Sequence, residues 1–136
     1  MTPPADARAV FRDKAGNVTG WLAGPKLSDV EIYRLARRWW LPWRAMIMTA
    51  IALAESGGHV RATGDVAKVD AKWSTSKGLW QVRQLQSDHR DLYDPVINAD
   101  AAADIERKQG LKAWGAFKRG AFIKFLPRAK AAQRAA

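Results

Sequence analysis

The sequence predicts a mainly α-helical α+β domain: a central buried helix ending at Glu55, short helices around it, and a long loop or small β-flap over a cleft. Three observations carry this. The run from Trp43 to Glu55 is apolar on nearly every side, as a helix enclosed by its neighbours must be. The stretch from Ser56 to Lys77 is polar and longer than ordinary connections, and inside a compact domain such stretches are usually functional or fold as small hairpins. Finally, 136 residues with 48% apolar and 26% charged side chains suit one globular domain with a real core and exclude disorder of the whole chain.

Residues 1–26 hold three of the six prolines with Gly16, Asn17, Gly20 and Gly24, and read as an N-terminal arm or loop with a turn at Asp13 to Gly16. Phe11, Val18, Trp21 and Leu22 are the residues that would pin it to the body, since aromatic side chains on a tail usually find a groove to cover. Ser28 followed by Glu31 forms a capping box, and the apolar spacing after it predicts a helix over Asp29 to Trp40 that Pro42 ends. Around that corner Trp39, Trp40 and Trp43 lie beside Arg34, Arg37, Arg38 and Arg44. Such a mixture either packs a helix corner under solvated arginines or stacks on bases or sugars.

The central helix, Trp43 to Glu55, is terminated by Gly57-Gly58. Beyond the long connection, Gly78-Leu79-Trp80-Gln81-Val82 alternates apolar with small or polar groups, and is either a short strand or the start of a helix. Asp94-Pro95 opens a further helix that runs to about Gln109 before Gly110, with Asn98 as an alternative cap. From Leu111 to Leu126, aromatics alternate with Gly115 and Gly120, predicting a turn and then a short helix against the core. The chain thus divides into an arm at 1–26, a body at 27–127 and a basic alanine-rich tail at 128–136 that is either helical or frayed. No internal repeat is evident.

Lys and Arg number 23 against 13 acids, a formal net charge of +10, so the natural partners are polyanions: nucleic acid, an anionic membrane surface or an anionic cell wall. Cysteine is absent, which excludes disulfides and thiolate metal sites. The N-terminus lacks a signal-peptide pattern and no stretch has the length of a spanning helix, so synthesis in the cytoplasm without a leader is expected. His59 and His89 stand apart from any further ligand pattern. Neither a metal site nor a cofactor is expected.

Glu55 is the first candidate for chemistry. A carboxylate at the C-terminus of a buried helix faces the negative end of the helix dipole and is partly desolvated, and both effects keep it protonated as an acid catalyst must be. The alternative is a surface glutamate at a frayed helix end.

Taken in order, Ala52-Leu53-Ala54-Glu55-Ser56, a serine-bearing loop, Gly78-Leu79-Trp80-Gln81, Asp94-Pro95-x-x-Asn98 and Phe117-x-x-Gly120 resemble the soluble lytic transglycosylase (SLT) family of lysozyme-like folds. The likeness spans about Ser28 to Leu126. It is closest to the branch found in phages of actinobacteria and in the lysozyme-like domains of their tail proteins, where a closing segment like Trp114 to Phe122 recurs.

The resemblance implies cleavage of peptidoglycan glycan strands between N-acetylmuramic acid and N-acetylglucosamine, with Glu55 as the single acid/base and a 1,6-anhydro product. It implies a substrate-binding set of Ser56, Ser74 or preferably Ser76, Gly78, Gln81, Asn98 and Phe117, with Ser56 also orienting the neighbouring backbone; Trp80 is read as core. The family's tyrosine near the acid falls on Phe117, and the asparagine after it on Lys118, so a hydroxyl expected beside Glu55 is missing and reduced activity is expected. Release by a holin or delivery in a virion, with other virion proteins as possible partners, would bring the protein to the wall.

Three alternatives remain. One is a structural or plug component of a virion. Another is a hydrolytic lysozyme taking its second carboxylate from Asp65, Asp70, Asp88 or Asp91. The third, a nucleic-acid binder, rests only on charge and the Arg/Trp corner.

Overall fold

The computed structural model describes residues 1–136. Five helices pack on one side and a five-stranded antiparallel sheet lies on the other, so the α+β expectation holds. The strands run in sequence order across the sheet: β1 (Ala9–Arg12), β2 (Val18–Leu22), β3 (Thr63–Gly64), β4 (Trp73–Lys77) and β5 (Val82–Leu85). The helices are α1 (Asp29–Ala36), α2 (Pro42–Ser56), α3 (Pro95–Gln109), α4 (Gly115–Lys118) and α5 (Leu126–Ala135).

Residues 1–26 are not a loose arm. They form the β1–β2 hairpin, whose turn is held by the Asp13 carboxylate accepting from the backbone N–H groups of Ala15 and Asn17, both at 2.9 Å. Trp21 pairs with Thr63 and is buried, so the hairpin extends the flap sheet. Gly20, which reads as a loop residue in sequence, is required by strand packing: a Cβ there would lie 2.5 Å from the Thr63 carbonyl oxygen.

The Ser28 capping box is made in both directions, with Glu31 N–H donating to Ser28 Oγ at 3.1 Å and Ser28 N–H to Glu31 Oε1 at 2.9 Å. The helix it opens is shorter than its apolar spacing predicts, giving way to turns after Ala36. Pro42 does not end α1. Leu41 before it is extended, and Pro42 takes the first position of α2, where its missing N–H costs nothing.

α2 is the central helix, closed at its C-terminus by Gly57 in the left-handed conformation (φ 61°). Met48, Ile51 and Leu53 on it are fully enclosed. α1 and α5 pack on it, and Arg128 of α5 clamps Asp29 of α1 with two bonds of 2.7 and 2.8 Å. The C-terminal tail is therefore a packed helix, with Ala129 and Ala132 in the core. Asp94 caps α3, accepting from Val96 N–H at 2.9 Å and Ile97 N–H at 3.1 Å, which leaves Asn98 free for another task. No helix is long and apolar enough to cross a membrane.

Candidate active site

The C-terminus of α2 delivers Glu55 to an open cleft of about 620 Å³ between the flap sheet and the α3–α4 side of the molecule. Its proton affinity is raised above the ordinary glutamate value, first by burial and then by the charge of Asp65; the Ala116 N–H and the Arg119 cation pull the other way. The Ala116 N–H donates to Glu55 Oε1 at 3.2 Å, which fixes the carboxyl against α4. The carboxyl is thus desolvated on one side, oriented on another and open to the cleft on a third, which is what a proton donor to a bound substrate needs.

The flap supplies the facing wall. Asp65, at the turn after β3 with φ 53°, lines the cleft, accepts from Ser76 Oγ at 2.5 Å and pairs with Lys68 at 3.5 Å. Gln81 also lines the cleft, but its amide N–H groups are engaged by the Ala62 and Gly78 carbonyls, each at 3.0 Å. Its carbonyl oxygen lies toward Gly64, where a Cβ would collide with it. Trp73 and Arg83 form the outer lip, the guanidinium 4.9 Å from the ring centre.

Glu55, Ser76 and Gln81 are therefore brought together, while the other residues expected at the site are not. Ser56 is wholly buried; its hydroxyl donates to the Ala52 carbonyl at 2.9 Å and accepts from Gly58 N–H at 3.2 Å, closing the end of α2. Asn98 is wholly buried as well. Its amide donates to the Lys77 and Leu92 carbonyls, both at 2.8 Å, and its oxygen accepts from Trp80 N–H at 2.9 Å.

Asn98 thus braces the Gly78–Gln81 segment, which is neither strand nor helix start but the tight turn joining β4 to β5. Gly78, at φ 79°, permits a close approach, though to the Asn98 amide and the Leu92 carbonyl. Phe117 stacks on Phe122 at 4.9 Å between ring centres, packs against the core and is not among the cleft residues. The hydrogen bond to Glu55 comes instead from the preceding residue's backbone. Lys118 is exposed.

Of the four loop acids, Asp65 and Asp88 line the cleft; Asp88 is clamped by Arg90 at 2.7 Å, which holds its carboxyl at about 2. Asp70 and Asp91 bond backbone N–H groups of their own loops. No cluster of three or more His, Asp or Glu side chains is placed to hold a metal ion. Trp73 and Arg119 are among the cleft residues that escape a reading by sequence. Trp73 is signalled only as an aromatic opening a flap strand, and Arg119 carries no local signal because its place depends on how α4 folds back on α2.

An antiparallel flap over a helical body, with a partly buried glutamic acid where the central helix meets the cleft, is the architecture of a lysozyme-like domain. A family model of that description matches residues 40–116, and the chain belongs to this SLT-type lysozyme-like family. Membership implies a glycosidase that acts on peptidoglycan. Searches of curated proteins and of solved structures returned no significant match.

Proposed function

We propose that the protein is a lytic transglycosylase that cleaves the β-1,4 bond between N-acetylmuramic acid and N-acetylglucosamine with Glu55 as the single acid/base. The observation that carries this is the Glu55 carboxyl, raised in proton affinity by burial and held by Ala116 N–H at the wall of a polar cleft. Glu55 donates its proton to the glycosidic oxygen as the C1–O bond breaks, while the substrate's own N-acetyl oxygen shields the cationic carbon. The muramyl 6-hydroxyl then attacks C1 and returns its proton to Glu55, leaving the 1,6-anhydro end. During the charged interval the Ala116 N–H and the Arg119 cation offset the negative charge on Glu55.

A hydrolytic second reading is favoured by Asp65, which lines the same cleft and is oriented by Ser76. In that version Asp65 supports a water or the cationic carbon, and the product carries a reducing end. Purified peptidoglycan digests analysed by mass spectrometry separate the two. Anhydro-muropeptides that persist in Asp65→Asn support the transglycosylase; reducing ends that vanish in Asp65→Asn support the hydrolase. In either case Glu55→Gln is expected to lower turnover by about 10²–10⁴-fold. Equal activity in Glu55→Gln would remove Glu55 from the mechanism, and inactivity of wild type would favour a plug role in a virion. We assign the protein to phage-driven lysis or wall penetration, through holin release or within a virion, a setting supported by its net charge of +10 against an anionic wall.

A further inference from the structure

We propose that Arg119 is a specificity-determining residue that reads a carboxylate on the glycan strand at the subsite beside Glu55, with Gly115 as the seat for its guanidinium. This rests on the reading of the cleft as a glycan site. Arg119 follows α4, and its side chain folds back over the start of that helix. A Cβ on Gly115 would lie 2.5 Å from Nη2, 2.7 Å from Nη1 and 2.8 Å from Cζ of Arg119, so a side chain there would make the guanidinium shift. From there it lines the cleft together with Glu55 and Gly115.

The other charged groups of the cleft each have a partner within the chain, although the buried Nε of Arg83 has none. Lys68 is held by Asp65 at 3.5 Å and Arg90 by Asp88 at 2.7 Å. Asp104 is paired with Arg107 at 3.2 Å and Lys108 at 3.0 Å. Arg83 lies over Trp73 and donates to the Lys68 carbonyl at 2.9 Å. Arg119 has no ion pair within the chain and its side chain makes no hydrogen bond, although it is exposed to the cleft. It acts on Glu55 only through space.

An exposed guanidinium on the cleft wall beside Glu55, with its donors uncommitted, is matched to a carboxylate bound by two parallel N–H···O bonds. On a peptidoglycan strand that group is either the free lactyl carboxylate of a muramic residue or a carboxylate of the attached peptide. A strand of N-acetylglucosamine alone has neither. Arg119 therefore distinguishes muramyl glycan from a neutral chitin-like chain at the position where the bond is cut.

The test measures binding in the Glu55→Gln background, where turnover does not interfere. The probes are three tetrasaccharides: N-acetylglucosamine only, alternating muramic residues with free lactyl carboxylates, and the same strand carrying short acidic peptides. The carboxylate-bearing probes are expected to bind about ten-fold tighter than the neutral one. Adding Arg119→Gln should abolish that preference, read as the ratio of acidic to neutral probe affinity, and Arg119→Lys should retain part of it. Gly115→Ala, which evicts the guanidinium without removing its charge, should weaken the preference as well; thermal melts check that each variant is folded.

Whichever acidic probe shows the larger Arg119-dependent gain identifies the source of the carboxylate. A preference that survives Arg119→Gln, or no preference at all with the neutral probe bound, overturns the role of Arg119 alone. No binding of any probe overturns the glycan reading of the cleft and this inference with it.

Discussion

Burial at Glu55 has a consequence for stability as well as for chemistry. The folded-state proton affinity of its carboxyl is raised, chiefly by desolvation, so the native state binds the proton more tightly than the unfolded chain does. Its stabilising share is therefore fully present below the ordinary glutamate value of 4.5 and is lost as pH rises through the higher folded value. Glu55→Gln, neutral at every pH, should melt close to wild type at low pH and above it at neutral and alkaline pH, with the gap in Tm widening across that interval. Thermal melts from acid to alkaline pH check this; a gap that narrows as pH rises would contradict the buried-acid assignment. Turnover should move in the opposite sense, highest where Glu55 holds its proton and falling along an alkaline limb that Glu55→Gln lacks. Glu55 was legible in sequence because one polar residue ended an apolar helix. Its hydrogen-bond donor was not, because Ala116 N–H lies 61 residues further along the chain and no side-chain pattern marks a backbone group.

Between the residues and the fold stands the Gly78–Gln81 turn, which joins the flap strands to the helical body. Trp80 at its centre is wholly buried and tied to α2, α3 and the residue before α4: its indole N–H donates to the Met48 carbonyl at 2.9 Å, its backbone N–H to Asn98 Oδ1 at 2.9 Å, and its carbonyl accepts from the Trp114 indole N–H at 2.8 Å. Asn98→Ala removes the side-chain partner of three backbone groups, two of them buried, so a loss of about 3 kcal/mol is expected in chemical denaturation. Since the same turn carries Gln81 into the cleft, glycan affinity should fall in the folded variant as well. Gly78→Ala should be damaging for two reasons: φ 79° disfavours any side chain, and the new Cβ would enter the space of Asn98 and Leu92. A loss below about 1 kcal/mol would mean that the turn relaxes easily. The motif was visible in sequence, but its role was misplaced. Spacing made Asn98 a possible helix cap and the resemblance gave it a place beside the substrate, whereas Asp94 takes the cap and the inward position of Asn98 on α3 turns it to the backbone of the turn. Likewise the β1–β2 hairpin was hidden because Gly20 and Gly16 look like loop residues, although one admits the neighbouring strand and the other makes the turn.

At the scale of the whole molecule, the helical side was readable from periodicity and caps, while the surface that faces substrate was not, since it is assembled from the end of α2, the flap strands and the start of α4. Composition fixes its long-range field instead: 23 basic against 13 acidic residues leave a formal charge of +10. Much of the cleft charge is neutralised by internal pairs, so the excess acts mainly from the outer surface, where Arg34, Arg37 and Arg38 are exposed, as are Leu41 and Trp43. A field of this kind concentrates the protein on an anionic wall without selecting a bond, and salt screens it over a Debye length of about 10 Å at 0.1 M. Adsorption of Glu55→Gln to insoluble peptidoglycan carrying its anionic polymers should therefore fall steeply between about 50 mM and 500 mM salt. Binding of a neutral N-acetylglucosamine oligomer in the cleft should change little over the same range, because sugar contacts there are short-ranged. Equal salt dependence in the two measurements would place the electrostatic attraction in the cleft itself; the opposite result separates retention on the wall, a property of net charge, from recognition of the scissile bond, a property of the residues around Glu55.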